Sequence, residues 1–226
     1  MRLPFRDRIS AGRLLGSKLD VYKGKPNVLV LALPRGGVPV AHEIAKRLHA
    51  PLDVMVVRKL GVPWQPELAM GAVASGGVTV LDDALIQYLN LHKSYIQALI
   101  AREKEEIERR EHIFRNGRRA PELSGRTVIL VDDGAATGST MLAAVAAIRK
   151  QRPEKVIVAV PIASRSACES FEREADNCLC LATPEPFVAV GSWYESFPQV
   201  TDEEVKGLLF EAPESRSEEE ERLSAG

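Results

Sequence analysis

Short apolar runs alternate with segments of helical periodicity along most of this chain. Residues 27–33 form a nearly continuous apolar run, which is typical of a strand buried on both faces of a sheet. The apolar positions Val40, Ile44 and Leu48 then recur at helical spacing, and the apolar segment 52–57 predicts a second strand. A strand, a helix and a second strand in this order predict a βαβ unit with parallel strands.

The second half of the chain repeats this order of elements. The pattern predicts strands at 127–131, 155–161 and 177–181 and helices at 141–150 and 164–174. Such alternation implies a mostly parallel sheet with helices on both faces. We therefore predict an α/β fold in which a Rossmann-like, three-layer parallel core spans residues 27–181.

Three segments fall outside this alternation. From about 83 to 119, an apolar stripe with a charge-rich flank predicts a long amphipathic helix. This helical segment is an insertion in the sequence of the core, and we expect it to cover the sheet or form a subunit contact. Thr201 and Glu204 have the spacing of a capping box at the start of a final helix. Residues 211–226 are acidic and serine-rich, which predicts a disordered tail after a single domain at 1–210.

The composition excludes several classes of protein. The 226 residues include 30 basic and 31 acidic side chains, and the formal net charge of -1 gives no general attraction to nucleic acid or to an anionic membrane. No apolar run approaches the roughly 20 residues of a membrane-spanning helix, and the N-terminus has no apolar stretch typical of a signal peptide. We therefore expect a cytoplasmic protein that binds neither nucleic acid nor membranes.

The cysteines and histidines show no spacing that is typical of a metal site. Cys168, Cys178 and Cys180 have no Cys-x-x-Cys pair and no nearby histidine, so we interpret them as buried free thiols. The 4 histidines lack the helical spacing that would place two imidazoles on one metal ion. We interpret them as structural or exposed.

The most informative segment follows the predicted strand at 127–131. Asp132 and Asp133 stand where open α/β sheets bind ligands, and their oxygens can accept hydrogen bonds from a sugar diol. Small residues follow, so backbone N–H groups at the start of the next helix can surround a phosphate, and hydroxyl groups add further donors. The residues of this phosphate turn are Gly134, Ala135, Ala136, Thr137, Gly138, Ser139 and Thr140. The segment therefore predicts a site for a ribose 5-phosphate.

The segment from Asp132 to Thr140 resembles the phosphoribosyl pyrophosphate (PRPP) loop of the type I phosphoribosyltransferases. A dinucleotide site is the main alternative, but its G-x-G-x-x-G turn is missing. The resemblance implies the family's fold with a small hood, here mainly residues 184–210. It implies transfer of the phosphoribosyl group from PRPP to a base or another nitrogen nucleophile with release of pyrophosphate. It also implies Mg²⁺, which Asp132 and Asp133 would contact indirectly through the ribose diol or water, and a homodimer.

Two further segments resemble parts of the same family. Leu33 to Pro39 resembles its pyrophosphate loop, in which the backbone wraps the diphosphate and an arginine donates to it. The residues of this pyrophosphate loop are Pro34, Arg35, Gly36 and Gly37. Arg58 and Lys59 resemble the basic pair before the mobile catalytic loop, here 60–70, and the resemblance implies that they neutralise the diphosphate. The likeness to a subgroup of predicted phosphoribosyltransferases extends to Phe210.

The acceptor stays open at this stage. The segment 184–197 resembles the hood of hypoxanthine-guanine enzymes, which implies that Phe187 stacks on a base and that Val188 lines it, although aromatic residues here also suit a cap on the sheet. Ala136 stands where those enzymes have an aspartate as general base. The general base must then come from elsewhere, and Glu67 in the predicted mobile loop is the candidate.

A regulatory protein that binds PRPP or a nucleotide without turnover is the alternative to an enzyme. Arg58, Lys59 and the acid-bearing loop favour the enzyme, because a sensor needs none of them. A DNA-binding regulator would need a helix-turn-helix or a basic patch, and the sequence predicts neither.

Overall fold

The computed structural model describes residues 3–212, apart from the side chains of residues 66 and 67. The strands are β1 (Val28–Ala32), β2 (Leu52–Val54), β3 (Val57–Val62), β4 (Gln65–Ala74), β5 (Val78–Leu81), β6 (Thr127–Val131), β7 (Lys155–Ile162) and β8 (Asn177–Ala182). The helices are α1 (Arg8–Ser17), α2 (Gly37–Leu48), α3 (Asp83–Tyr88), α4 (Lys93–Arg115), α5 (Ser139–Arg149), α6 (Arg165–Glu174) and α7 (Asp202–Glu211).

Five strands form the predicted parallel sheet, in the order β2-β1-β6-β7-β8. Every residue of β1 and β6 is buried, as the continuous apolar runs predict. The chain leaves β1 toward β2 on one side and leaves β6 toward β7 on the other. The carboxyl ends of β1 and β6 therefore lie side by side at the point where the strand order diverges, which is where open α/β sheets bind ligands.

Helices cover both faces of this sheet. Val28, Val30 and Ala32 of β1 belong to one core, together with apolar residues of α2. Leu29 and Leu31 belong to a second core, together with residues of α5 and α6. Successive side chains of a strand point to opposite faces, so β1 contributes to both cores. The predicted three-layer α/β fold is confirmed.

A second, antiparallel sheet with the order β3-β4-β5 forms a small hood beside the core. It includes residues 60–70, which the sequence analysis expected to be a loop. Leu60, Val62 and Met70 are buried, so apolar burial stabilises strands here despite the turn-forming Gly61 and Pro63. The assignment of residues 184–210 to the hood stays a prediction.

The predicted long helix over 83–119 is two helices, α3 and α4. Asn90 interrupts it with φ of 47°, a left-handed conformation that asparagine adopts at low cost. Ile96, Ile107 and Phe114 of α4 are buried against the core, as the apolar stripe predicts. The capping box is confirmed, since Thr201 Oγ1 accepts from the Glu204 amide at 3.1 Å.

Within residues 3–212, no helix combines the length and the apolar character needed to cross a membrane. The predicted tail at 211–226 lies outside the described residues except for Glu211, the last residue of α7, and Ala212.

Candidate functional site

The phosphate turn after β6 has a shape that only small residues allow. Gly138, the residue before α5, has φ of 72°, which is the left-handed region where glycine is favoured. A Cβ atom at Gly138 would lie 2.6 Å from Cε1 of Phe171. A Cβ atom at Gly134 would lie 2.5 Å from Cγ1 of Val190 and 2.7 Å from Cγ2 of Ile162. The two glycines therefore let the turn pack directly on neighbouring segments.

Within the part of the chain that the structure describes, the phosphate turn is held through the carbonyl groups of Ala135 and Ala136 and the amide of Ala135, not through the amides of residues 136–138. The Ala135 carbonyl accepts a hydrogen bond from Ser164 N at 2.9 Å, and the Ala136 carbonyl accepts one from Ser164 Oγ at 2.6 Å. Among the described residues, no acceptor is bonded to the amides of Ala136, Thr137 or Gly138. These amides precede α5, and free N–H groups at a helix N-terminus attract anions. The turn can therefore bind a phosphate group.

Arg8, at the start of α1, forms an ion pair that the sequence analysis missed. Its Nε donates to Asp133 Oδ2 at 2.8 Å and its Nη1 donates to the Pro198 carbonyl at 2.7 Å. The guanidinium lies 3.6 Å from the ring centroid of Phe197, and the Tyr194 hydroxyl donates to the Asp133 carbonyl at 2.6 Å. Only 10% of the Arg8 side chain and 13% of the Asp133 side chain are exposed. Arg8 thus neutralises Asp133 and joins it to the C-terminal segment.

The two aspartates differ in how readily they hold a proton. Burial and the neighbouring charge of Asp133 raise the pKa of Asp132 well above its ordinary value. Burial also raises the pKa of Asp133, but its hydrogen bond and ion pair with Arg8 oppose this shift. The Asp133 amide donates to Asp132 Oδ1 at 2.8 Å. Of the two carboxyl groups, Asp132 is therefore the one whose charge is the more unfavourable in the free protein.

We expect Asp132→Asn to stabilise the free protein, because the raised pKa of Asp132 means that its buried charge opposes folding. The amide oxygen of asparagine can keep the hydrogen bond from the Asp133 amide, while the buried charge is lost. For a chain of this length, each gain of about 1 kcal/mol corresponds to a rise of about 2–4 °C in Tm. Thermal unfolding at neutral pH measures it.

The stability gained by Asp132→Asn should be larger at neutral pH than at acid pH. Because the folded-state pKa of Asp132 is raised, the wild type loses stability as the pH rises from the ordinary aspartate range through that raised pKa. The variant lacks this loss, so its advantage should vanish at acid pH. An advantage that is equal at acid and neutral pH would contradict the assignment of the charge to Asp132.

The pyrophosphate loop after β1 lies against the two aspartates. A Cβ atom at Gly36 would overlap the Asp133 carboxylate. A Cβ atom at Gly37 would lie 2.9 Å from the Asp132 Cα. The Pro34–Arg35 peptide bond is cis. The structure therefore brings the two predicted loops into contact, and glycine at both positions permits it.

Arg35 and Arg58 have different acidic partners. Arg35 Nη1 lies 3.5 Å from Asp202 Oδ1 at the start of α7, and 39% of the Arg35 side chain is exposed. Arg58 Nε donates to Glu103 Oε2 of α4 at 2.8 Å. Burial raises the pKa of Glu103, but hydrogen bonds from Arg58 and Arg102 outweigh burial, and the pKa lies below its ordinary value. Arg58 is thus held by an ionised carboxylate at close range, whereas the contact between Arg35 and Asp202 is longer.

Lys59 is exposed and lines a pocket beside the phosphate turn. The pocket has a volume of about 270 Å³ and lies between the hood strands β4 and β5 and the helix α5. Ser139, the first residue of α5, and Asp82 also line it. Lys59 therefore shares this pocket with Ser139 of the phosphate turn, whereas Arg58 does not line it.

The structure describes the side chains of two of the three residues predicted on the acceptor side. Phe187 is half-buried and packs against a small apolar cluster that includes Ile162 and Tyr194. The side chain of Val188 is 78% exposed. The side chain of Glu67 lies outside the described part of the chain. Stacking on a base therefore stays a prediction for Phe187, whose packing also agrees with the alternative of a cap on the sheet.

Comparison with known families identifies the family of this chain. A family model described as "Phosphoribosyl transferase domain" matches residues 63–192, which is more than half of the chain. The chain belongs to the phosphoribosyl transferase domain family. The matched range contains the whole phosphate turn, and it begins after the pyrophosphate loop and after Arg58 and Lys59.

Two curated relatives of this phosphoribosyl transferase chain are themselves named as putative phosphoribosyl transferases. The Mycobacterium tuberculosis H37Rv protein named "Putative phosphoribosyl transferase Rv0571c" is 48% identical over 208 residues, which cover 92% of this chain and 47% of that protein. The same values hold for "Putative phosphoribosyl transferase MT0597" from strain CDC 1551. The chain therefore spans about half the length of the curated relatives it matches.

One solved structure is similar over nearly its full length. The crystal structure of TT1426 from Thermus thermophilus has a TM-score of 0.84 and 43% identity, covering 94% of this chain and 99% of that one. The relationship thus extends beyond the range matched by the family model.

Proposed function

We propose that this phosphoribosyl transferase moves the 5-phosphoribosyl group from PRPP to a nitrogen nucleophile and releases pyrophosphate. The observation that carries the proposal is the phosphate turn, whose free amides at Ala136, Thr137 and Gly138 lie directly after two carboxylates. In this proposal the amides bind the 5-phosphate, and Thr137, Ser139 and Thr140 add hydroxyl donors. Asp132 and Asp133 accept hydrogen bonds from the ribose hydroxyls.

The carboxylate oxygens also suit Mg²⁺, which prefers oxygen ligands and keeps several waters. Asp133 Oδ2 already accepts from Arg8, so its contact to Mg²⁺ would run through water or the ribose diol. Bound there, Mg²⁺ would supply positive charge for the diphosphate. The ion would also favour the ionised form of Asp132, whose charge is unfavourable in the free protein.

Arg35 and Lys59 neutralise the leaving diphosphate in this proposal. As the bond at the anomeric carbon breaks, negative charge grows on the diphosphate, and donors held in place stabilise it. Arg35 belongs to a loop that touches the Asp133 carboxylate, and Lys59 lines the pocket next to Ser139. Arg58 would join them by leaving Glu103, to which its Nε donates. Rearrangement of the hairpin 60–70 would provide that movement and exclude water.

The acceptor side of the proposal uses residues from two segments. Phe187 stacks on a flat base, with Val188 beside it, once the hairpin 60–70 closes over the site. Glu67 takes the proton from the attacking nitrogen, because Ala136 stands where a carboxylate base is found in hypoxanthine-guanine enzymes.

Calorimetric titration with PRPP and Mg²⁺ tests the donor site. We expect Arg35→Ala to weaken PRPP binding by about 10- to 100-fold, because a hydrogen bond to a charged group contributes about 1.5–3 kcal/mol. Asp133→Asn should also weaken it. Arg165→Ala removes an exposed arginine that pairs with Glu185 on the surface, and it should bind PRPP like the wild type. Unchanged affinity in both site variants would remove the proposal.

A regulatory protein that binds PRPP or nucleotides without turnover is the second candidate. The ion pair between Arg58 and Glu103 favours it, since this pair occupies one of the two basic residues proposed for catalysis. Pyrophosphate release, measured with a panel of bases, separates the two functions. Release with one base supports the transferase and identifies its acceptor, whereas tight nucleotide binding without release from any base supports the regulator.

A further inference from the structure

Three cysteines from two elements meet at the edge of the parallel sheet. Cys178 and Cys180 lie on the same side of the edge strand β8, two residues apart, and their sulfur atoms are 3.6 Å apart. Cys168 is on α6, and the three sulfur atoms all lie within 4.8 Å of one another. All three residues are half-buried. The three residues are free thiols, as predicted, but they are half-buried rather than buried, and the fold assembles them into a cluster that sequence spacing does not reveal.

The distances within the cluster match those of a thiolate metal site. Zn–S bonds of about 2.3 Å at tetrahedral angles place two sulfur atoms about 3.8 Å apart. The Cys178–Cys180 distance is close to this value, and Cys168 needs only a small movement to complete a set of three ligands. Glu172, one helical turn after Cys168, has Oε1 4.0 Å from the Cys168 sulfur. A carboxylate oxygen or a water molecule can therefore take a fourth position.

We propose that Cys168, Cys178 and Cys180 form a binding site for a thiophilic metal ion, with Zn²⁺ as the ion that the geometry fits best. Glu172 or water completes the tetrahedron. The site is separate from the residues proposed to bind PRPP.

Metal binding at the cluster should release protons. A free cysteine is mostly protonated at neutral pH, and the thiolate is the form that binds a metal ion. Binding of Zn²⁺ by the three cysteines should therefore release protons into solution.

A metal ion here would connect α6 to the edge strand. Helix α6 also supports the phosphate turn, because Phe171 packs at Gly138 and Ser164 holds the turn carbonyls. Because the ligands come from both α6 and β8, the ion would stabilise the folded state by binding it in preference to the unfolded chain. The melting temperature should therefore rise when metal is added.

The test uses the full chain without an affinity tag, reduced and stripped of metal by a chelator. Titration with Co²⁺ reports ligand type, because thiolate ligands give a strong charge-transfer absorption in the near ultraviolet. Competition with a chromogenic chelator then gives the Zn²⁺ affinity and stoichiometry. We expect one ion per chain, the charge-transfer band and a higher melting temperature with Zn²⁺.

Variants assign the ligands. Each of Cys168→Ser, Cys178→Ser and Cys180→Ser should weaken Zn²⁺ binding by more than about tenfold, since even the loss of a residue that only supports a ligand costs about 10–100-fold. Glu172→Gln should have a smaller effect. Glu169→Gln changes an exposed acid on the same helix and should bind Zn²⁺ like the wild type. The melting temperature of each variant without metal shows whether it folds.

Several outcomes would overturn the metal site. A wild type that takes up no metal under reducing conditions, or Co²⁺ bound without the charge-transfer band, would do so. Zn²⁺ affinity equal to that of the wild type in all three serine variants would place the ion elsewhere. A protein that forms a disulfide among these cysteines in air and binds no metal when reduced would make the cluster a redox pair instead. None of these results depends on PRPP binding, so the proposed function stands or fails separately.

Discussion

Replacement of Arg8 by methionine should destabilise the protein by about 3–5 kcal/mol, the usual cost of removing one partner from a buried ion pair. Arg8 Nε lies 2.8 Å from Asp133 Oδ2, and 87% or more of each side chain is shielded from solvent. Without Arg8, a carboxylate would stay buried beside Asp132 with no positive partner. Methionine keeps an unbranched side chain beside Phe197 but loses the guanidinium contact with that ring and the hydrogen bond to the Pro198 carbonyl, so the loss includes these contacts as well as the unpaired charge. Urea unfolding at neutral pH measures it.

Two variants control this result. The double variant Arg8→Met/Asp133→Asn removes both charges and should recover most of the lost stability. Arg13→Met removes another arginine of α1. Arg13 forms an ion pair with Glu43, and 64% of the Arg13 side chain is exposed. That change should have a far smaller effect, because exposed ion pairs contribute little. If Arg8→Met is no more damaging than Arg13→Met, the ion pair does not hold the site together.

The pH dependence of the Arg8→Met defect follows from the same charges. Arg8 opposes the rise that burial causes in the pKa of Asp133, so its removal raises that pKa further. At acid pH, Asp133 is protonated in the variant and no buried charge is left unpaired. The defect should therefore be largest at neutral pH and should shrink as the pH falls.

Gly138→Ala should be the most damaging single-methyl change in the phosphate turn. At φ of 72°, an alanine is strained by about 1–2 kcal/mol. The new Cβ atom would also lie 2.6 Å from Cε1 of Phe171, and overpacking of this kind costs about 1–3 kcal/mol more. Relief of the contact must move either α6 or the Gly138 amide. We therefore expect both lower stability and weaker binding of ribose 5-phosphate, measured by unfolding and by calorimetry.

Gly125→Ala provides a matched control for the backbone strain. Gly125 has φ of 69°, and a Cβ atom there meets no atom within 4 Å. Its replacement should show the strain alone, without the contact and without a loss of ribose 5-phosphate binding. Equal effects of the two substitutions on binding would mean that the packing of Gly138 on α6 is irrelevant to the phosphate turn.

The parallel core could be predicted because its signals are local. The runs at 27–33 and 127–131 are apolar at nearly every strand position, and β1 and β6 lie within them. The hood sheet was missed for an equally local reason. Gly61 and Pro63 are typical of loops, and only contacts with the rest of the chain bury Leu60 and Met70.

The candidate site was predictable only where it is continuous in sequence. The phosphate turn and the pyrophosphate loop each follow a strand, so their positions follow from strand order. Arg8 lies 125 residues from Asp133, and its local sequence contains no sign of that partner. The cysteine cluster likewise depends on the packing of α6 against β8. Contacts of this kind are set by the fold as a whole.

The claim that the phosphate turn binds a phosphate group is tested most directly by an NMR titration of the amide-labelled protein with ribose 5-phosphate. We expect the amide resonances of Ala136, Thr137 and Gly138 to shift the most, because these amides have no acceptor among the described residues and would donate to the phosphate. They should report one common dissociation constant, while the amide of Gly117, remote in sequence from the turn, stays unchanged. Binding of ribose 5-phosphate that leaves the three turn amides unmoved and shifts another region would contradict it.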